Sequence, residues 1–284
     1  MRHSEVTLDD KYVLEDGRAF ITGVQALLRV LLDRKRLDRK LGLNTAGFLS
    51  GYRGSPLGGL DQQAARINKL LTAHDVVFKE GVNEDLAATA VWGSQQANLF
   101  PGALYDGVFG MWYGKAPGVD RTGDVFKHAN FAGVFPTGGV LAVAGDDHNC
   151  KSSTLPSQSE FAFQDFEMPV LAPADVQEVL DYGILGIALS RFSGLWTGMI
   201  ALADTMDSGV TIDVSLDRHH AVIPDFPFPP GGLGIRLKDQ PMEPTASIAW
   251  CWGPRMCGWA RRGWASSARG RPIRTCWRPS RPWA

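Results

Sequence analysis

Cysteine is scarce in most of this chain. Four cysteines occur in 284 residues, and Cys251, Cys257 and Cys276 all lie in the last stretch, after Trp250. Only Cys150 belongs to the body, and no CxxC or iron–sulfur spacing exists. A disulfide framework is therefore excluded there, and a reducing compartment is expected. Long uncharged apolar runs are missing too. The longest apolar segment, Gly183–Met206, is interrupted by Arg191 and Asp204 and reads as buried protein, not as a membrane span. The N-terminal MRHSEVTLDDKY is polar and acidic, unlike a signal peptide, so the cytoplasm is the expected location and no membrane partner is expected.

A strong net charge is also lacking, at −1 overall. That balance hides an asymmetry. From Trp250 to Ala284 there are eight Arg and no Lys, Asp or Glu, and removing those eight leaves −9 on residues 1–249. A mildly acidic body argues against nucleic acid as the main partner.

What is present is the composition of a soluble globular protein, 44% hydrophobic and 21% charged, long enough for one or two domains. Val24, Leu27, Leu28, Leu31 and Leu32 recur at i, i+3, i+4, i+7 and i+8, which predicts an amphipathic helix over Gly23–Leu32. Ala46–Leu49 is a short apolar run expected as a buried strand, and a glycine-rich loop follows it. Leu57, Leu60, Ala64, Ile67, Leu70 and Leu71 predict a second helix. Val76–Phe78 is expected as a strand and Glu84–Leu99 as a helix, with Asn83 as its N-cap. Val108–Trp112, Val140–Ala144 and Val170–Leu171 read as strands, Asp175–Ser190 as a helix and Val210–Val214 as a closing strand.

Strands thus alternate with helices, and most strands are continuous apolar runs, as in parallel sheets covered on both sides. The expected class is α/β, a mostly parallel sheet with helices on both faces. Ligands in such folds sit outside the carboxyl ends of the strands. The chemistry is then expected in four loops: Gly51–Gly59, Lys79–Asp85, Tyr113–Asp124 and Gly145–Thr154.

The first loop, GYRGSPLGG, resembles an anion cradle between strand and helix. It has neither the GK[ST] of a P-loop nor a GxGxxG fingerprint, and a tight turn needing small residues explains Gly58 and Gly59 equally well. Arg53, through paired donors, and Ser55, through its hydroxyl, can each hold a carboxylate. Glu84 opens a helix directly after a strand, where the helix dipole favours any acid. The third loop holds Lys115, Asp120, Arg121 and Asp124, with His128 just beyond, and also reads as a solvated loop with local ion pairs. In the fourth, Asp146, Asp147 and His148 are consecutive and cannot converge on a metal without a strong kink, so no metal site is expected. Cys150 reads as a plain thiol.

Taken in order, the segments GFLSGYRGSPLGGLD, FKEGVNEDLAATAVWGSQQA, GVFGMWYGKAPGVDRTGDVFKHANFAG and GDDHNCKSSTLPSQSEFAF resemble the N-terminal part of indolepyruvate:ferredoxin oxidoreductases. The resemblance is to the long fused form, within the 2-oxoacid:ferredoxin oxidoreductase family, and runs from about Tyr12 to about Gly234. It implies that residues 1–234 are the pyrimidine-binding domain of a thiamine diphosphate enzyme. Glu84 matches the helix-start glutamate that contacts the ring nitrogen of the cofactor's aminopyrimidine, with Gly51 and Tyr52 also at the cofactor. A carboxyl group in a low-dielectric pocket can keep its proton and share it with that nitrogen. Ser55 matches a small hydroxyl residue near the substrate carboxylate. Arg53 is a plausible second contact, and Lys115 and His128 are added from their loops.

The resemblance further implies an aryl 2-oxo acid such as indolepyruvate as substrate, coenzyme A and ferredoxin as partners, and a dimer. The Mg2+ and pyrophosphate-binding domain and the iron–sulfur clusters of that family have no counterpart in this sequence. The chain is therefore expected to be a fragment that supplies one wall of the cofactor site and is inactive alone. A non-catalytic α/β binding or scaffold subunit is the alternative reading.

The Pro/Gly linker PDFPFPPGGLG, Pro224–Gly234, marks the expected domain end. Six of the nine Trp fall in Trp250–Ala284, among Arg, Pro, Gly, Ala and Cys, with no surviving periodicity. Such a stretch can bind single-stranded nucleic acid, but it is also what GC-rich codons give out of frame. Residues 235–284 are accordingly expected to be a linker and an aberrant, frameshifted and poorly ordered tail. Reading the DNA past codon 284 in all three frames checks this. The expected result is a shifted frame that runs into a glycine–aspartate–glycine motif and cysteine clusters, and its absence favours the scaffold reading.

Overall fold

The apolar runs are buried because crossover helices cover both sides of one sheet. The structure, a computed structural model, describes residues 7–151 and 154–219, together with 221, 222, 225, 227, 228 and 232–235. These residues belong to one unit, residues 1–241. The Arg- and Trp-rich tail expected after Ile235 lies outside the described residues.

In chain order the elements are α1 (Asp10–Val13), β1 (Arg18–Thr22), α2 (Gly23–Lys40), β2 (Ala46–Gly51), α3 (Leu60–Arg66), α4 (Asn68–Ala73), β3 (Val76–Phe78), α5 (Glu84–Gln96), β4 (Val108–Lys115), α6 (Ala116–Arg121), α7 (Gly123–Ala132), β5 (Val140–Asp146), α8 (Glu160–Asp165), β6 (Val170–Leu171), α9 (Val176–Ser193), β7 (Thr197–Leu202), α10 (Ala203–Asp207) and β8 (Gly209–Asp213). The main sheet has the order β3-β2-β4-β5-β7-β6. All its neighbouring pairs are parallel. β1 and β8 pair antiparallel as a separate ribbon. This is the expected α/β class, with helices on both faces.

Side chains alternate across the strands. Phe109, Met111 and Tyr113 of β4, with Leu141 and Val143 of β5, pack with α2, α3 and α9 on one face. Trp112, Ala142 and Ala144 point the other way and pack with α5, α7 and α8. Phe126 of α7 meets Trp112 edge-on, with ring centroids 4.8 Å apart.

Several boundaries differ from the sequence reading. The second predicted helix breaks at Ile67, whose backbone leaves helical geometry (φ −100°, ψ 17°), into α3 and α4. Tyr113–Asp124, expected as a loop, is mostly regular: β4 continues to Lys115, and α6 and α7 follow. The predicted closing strand is β8, which pairs in the ribbon and not in the sheet. β7, between β5 and β6, lies in the apolar run after α9, separated from the helix by Gly194 in the left-handed conformation (φ 74°). Among the described residues no helix is long and apolar enough to cross a membrane.

α2 departs furthest from expectation. Thr22 and Gln25 form a reciprocal capping box at its start. The helix then runs past the predicted end to Lys40, and its charged residues are buried as well. Arg29 and Arg36 both donate to Asp33, at 2.9 and 2.7 Å. Asp38 accepts from Arg34 at 2.6 Å, from both Nη atoms of Arg191 at 2.7 Å each, and from Thr45 Oγ1 at 2.7 Å. Arg191 Nε also donates to the Gly138 carbonyl at 2.8 Å. Burial pushes the Asp38 carboxyl up, but Arg191, Arg34 and Thr45 outweigh it and hold the carboxyl below its ordinary value.

Removing one member of such a buried set strands the others. Asp38→Ala is expected to cost roughly 3–5 kcal/mol, measured by denaturant unfolding. Because the folded carboxyl titrates lower than the unfolded one, its contribution is present above the unfolded carboxylate range and is lost as pH falls through the folded value. The variant should therefore also lose less stability than wild type on acidification.

Candidate functional site

The carboxyl ends of β2, β3, β4 and β5 converge on one edge of the sheet, and close backbone approach defines that edge. Gly51 pairs in register with Tyr113. A Cβ at Gly51 would lie 2.2 Å from the Tyr113 carbonyl oxygen and 2.4 Å from its ring, so only glycine fits. Beyond the strands, Tyr52 N donates to Tyr113 O at 3.1 Å and Gly81 N donates to Gly51 O at 2.9 Å.

Asn83 caps α5 by accepting from Leu86 N at 2.8 Å, which sets Glu84 as the first helical residue. The Glu84 side chain is only 14% exposed. It lies along β4 and α6: a Cβ at Gly118 would sit 2.4 Å from Glu84 Cγ and 2.7 Å from Oε1, and one at Gly114 would sit 3.4 Å from Cγ. Trp112 Nε1 donates to the Glu84 backbone carbonyl at 3.0 Å and ties α5 to β4. Arg121 gives its Nε to Asp85 at 3.2 Å, while its Nη1 stays 3.8 Å from Glu84 Oε2. Among the described residues no hydrogen bond reaches the Glu84 carboxylate. It is a nearly buried acid with free acceptor capacity.

The glycine-rich loop folds over the same edge. Pro56 and Leu57 are buried against Gly145 at the end of β5, where a Cβ would be 2.9 Å from Pro56 Cδ. Gly54 lies over Lys115, where a Cβ would be 3.1 Å from the lysine Cβ. Tyr52, Arg53 and Ser55 are exposed. The structure therefore brings Gly51, Tyr52, Arg53, Ser55, Glu84 and Lys115 to one edge. It does not bring His128 there. That residue lies within α7, 62% exposed, with Nδ1 2.9 Å from the Asp124 carbonyl and its ring 6.5 Å from Trp92.

In the fourth loop, Asp146 serves the fold. It is buried and accepts from Ser159 N and Oγ at 2.7 Å each. Burial pushes its carboxyl up and the Ser159 hydrogen bonds offset part of that. His148 Nδ1 lies 2.6 Å from the Ser157 carbonyl. Among the described residues no three His, Cys, Asp or Glu side chains converge to hold a metal. Gly114 and Gly118 escaped the sequence reading as parts of the Glu84 site. Their spacing, small–xxx–small across the turn from β4 to α6, was the available signal.

Comparison with known proteins gives the fold a relative. No protein-family model matches the chain, and no curated protein does. Among solved structures it is similar to a 2-oxoglutarate:ferredoxin oxidoreductase from Magnetococcus marinus with 2-oxoglutarate, coenzyme A and succinyl-CoA bound. The TM-score is 0.53 at 16% identity, over 73% of this chain and 33% of that one. The similarity is one of fold, and the chain spans about a third of its relative's length.

The Gly118 contact is testable. A methyl there meets the movable end of Glu84 and not backbone. Gly118→Ala should leave stability within about 1 kcal/mol, since alanine favours the helix, and should displace the Glu84 carboxylate in a crystal structure of the variant. A loss above about 2 kcal/mol with Glu84 unmoved would show that the helix gives way instead.

Proposed function

We propose that residues 1–234 form the pyrimidine-binding half of a thiamine diphosphate-dependent 2-oxoacid:ferredoxin oxidoreductase. The observation that carries the reading is Glu84: a helix-start carboxylate after a parallel strand, nearly buried, with no hydrogen-bond donor. The fold shared with a 2-oxoglutarate:ferredoxin oxidoreductase and the four motif segments support it.

The residues present fit the cofactor's pyrimidine side. Gly114 and Gly118 keep a slot open around the Glu84 side chain, and a Cβ at Gly118 would fill it. In that slot Glu84 would hold a proton against a ring nitrogen, a role that exclusion of water strengthens. Gly51 and Tyr52 would line the ring, with Gly51 keeping the backbone close to β4. When bound, thiamine diphosphate supplies the electron sink for decarboxylation. Arg53 and Ser55 would orient the substrate carboxylate, with Lys115 as a further positive charge on the same edge. His128 would act from the outer helix layer or not at all.

The substrate is proposed to be an aryl 2-oxo acid of the indolepyruvate type, on the motif resemblance. Phe109 and Trp112 are fully buried core residues and take no part in recognising it. Coenzyme A and ferredoxin would be the other partners, in a cytoplasmic, dimeric enzyme. The Mg2+ and pyrophosphate site and the iron–sulfur clusters would come from other domains or subunits. Residues 235–284 are proposed to be a linker and aberrant tail, and the chain to be inactive alone.

In a complex reconstituted with a pyrophosphate-binding partner, Glu84→Gln should leave melting unchanged and lower turnover by about a hundredfold or more. Unchanged turnover would instead support a non-catalytic scaffold.

A further inference from the structure

Two acids share one arginine at the head of α5. Glu84 and Asp85 occupy its first turn, where the helix dipole favours both. Arg121, at the end of α6, faces the pair. Its Nε donates to Asp85 Oδ2 at 3.2 Å, while its Nη1 stops 3.8 Å from Glu84 Oε2, beyond hydrogen-bond reach. The Thr122 hydroxyl lies 3.2 Å from Asp85 Oδ1 and 2.6 Å from the Gly118 carbonyl. Asp85 is thus held against the same helix that carries Arg121 and borders the Glu84 side chain.

The Asp85–Arg121 pair contributes little stability. Its side chains are 34% and 53% exposed, and ion pairs in such surroundings are largely screened. What the pair sets is position. A guanidinium that moved about 1 Å closer to Glu84 would make a charge-assisted hydrogen bond there. The Glu84 side chain, at 14% exposure, is the less screened of the two acids, so the attraction is strong once Asp85 no longer competes. A bond from an arginine favours the ionised carboxylate, which has no proton to share.

We propose that Asp85 is a positioning residue for Glu84: it holds the Arg121 guanidinium back and leaves the Glu84 carboxyl group able to keep a proton. The use of that proton rests on the function proposed above; the contact itself rests on the geometry of α5 and α6. Asp85 in this role never touches cofactor or substrate. It acts through Arg121 alone.

The test follows the carboxyl carbons of the full chain by carbon-13 NMR against pH, with no cofactor or partner present. The Glu84 resonance is identified by its loss in Glu84→Gln. In Asp85→Ala, protonating Glu84 should need about tenfold more acid than in wild type. Removing the Asp85 charge produces part of any such change by itself, so the same substitution is repeated in an Arg121→Gln background. There the change should shrink to about threefold or less. Arg53, Glu80 and Lys115 at this edge, and Asp120 beside Arg121, are the same in every variant and cancel in the comparison. An equal change in both backgrounds, or none in either, would overturn the proposal. Asp85→Asn keeps the shape of the side chain and should give a smaller change of the same sign and the same dependence on Arg121. It decides the matter if Asp85→Ala fails to fold. Turnover does not enter, so the two readings fail separately. An Arg121-dependent change together with full turnover in Glu84→Gln would keep the contact and remove the proposed function. No such change together with lost turnover would do the reverse.

Discussion

The bidentate pair between Arg191 and Asp38 holds the two long helices of one layer together at the amino edge of the sheet. Asp38 sits near the end of α2 and Arg191 near the end of α9. The same carboxylate takes Thr45, which precedes β2, and the same guanidinium takes the carbonyl of Gly138, which precedes β5. One charge pair therefore fixes two helices and the starts of two strands. Taking such groups out of water is costly, and the arrangement holds because Asp38 accepts from Arg34, Arg191 and Thr45 while all three guanidinium nitrogens of Arg191 donate. Its structural consequence is positional. With strand starts pinned at one edge, parallel strands of defined length deliver their carboxyl ends in register at the other.

At that other edge the design principle reverses. Where charge pins the amino edge, missing side chains shape the carboxyl edge. Gly51 lets β2 lie against Tyr113, and Gly118 leaves room for the Glu84 side chain. Each is a contact that no other residue permits without a shift. Trp112 contributes from the opposite direction: its ring packs into the core while its indole nitrogen holds the first carbonyl of α5. The position of Glu84 thus follows from an N-cap, a tryptophan and two glycines. A neighbouring acid helps as well, since Asp85 engages Arg121 and Thr122 and keeps that guanidinium from closing on Glu84.

Much of this was legible in the sequence. Continuous apolar runs gave the parallel strands, and the Asn83–Glu84 boundary was correct because capping is a local property. What failed was non-local. The apolar pattern of α2 predicted a helix only to Leu32, because nothing local says that Arg191, far along the chain, will cover Asp38 and bury the charged turns that follow. β7 was hidden because the helical period of α9 runs into an apolar strand with only Gly194, Leu195 and Trp196 between them. The stretch after β4 read as a loop through its Gly and Pro, although Pro117 is at home in the first turn of α6. His128 joined the candidate residues by nearness in sequence, and the structure places it on the exposed side of α7, beside Trp92.

The exposure of this edge bears on the chemistry proposed. A carboxyl group keeps a shared proton only where water is kept away from it. Glu84 has that protection on the side of Gly114, Gly118 and Trp112, and it remains partly open on the other. Val82 and Leu86, which flank it in sequence, are 81% and 54% exposed. Large exposed apolar side chains beside a partly buried acid favour a cover that excludes water from all three together. A pyrophosphate-binding domain resting on this edge would supply that cover and the second half of the cofactor site in one contact. Glu84 chemistry and domain association would then be coupled, because the burial that drives the association is the burial the carboxyl group requires.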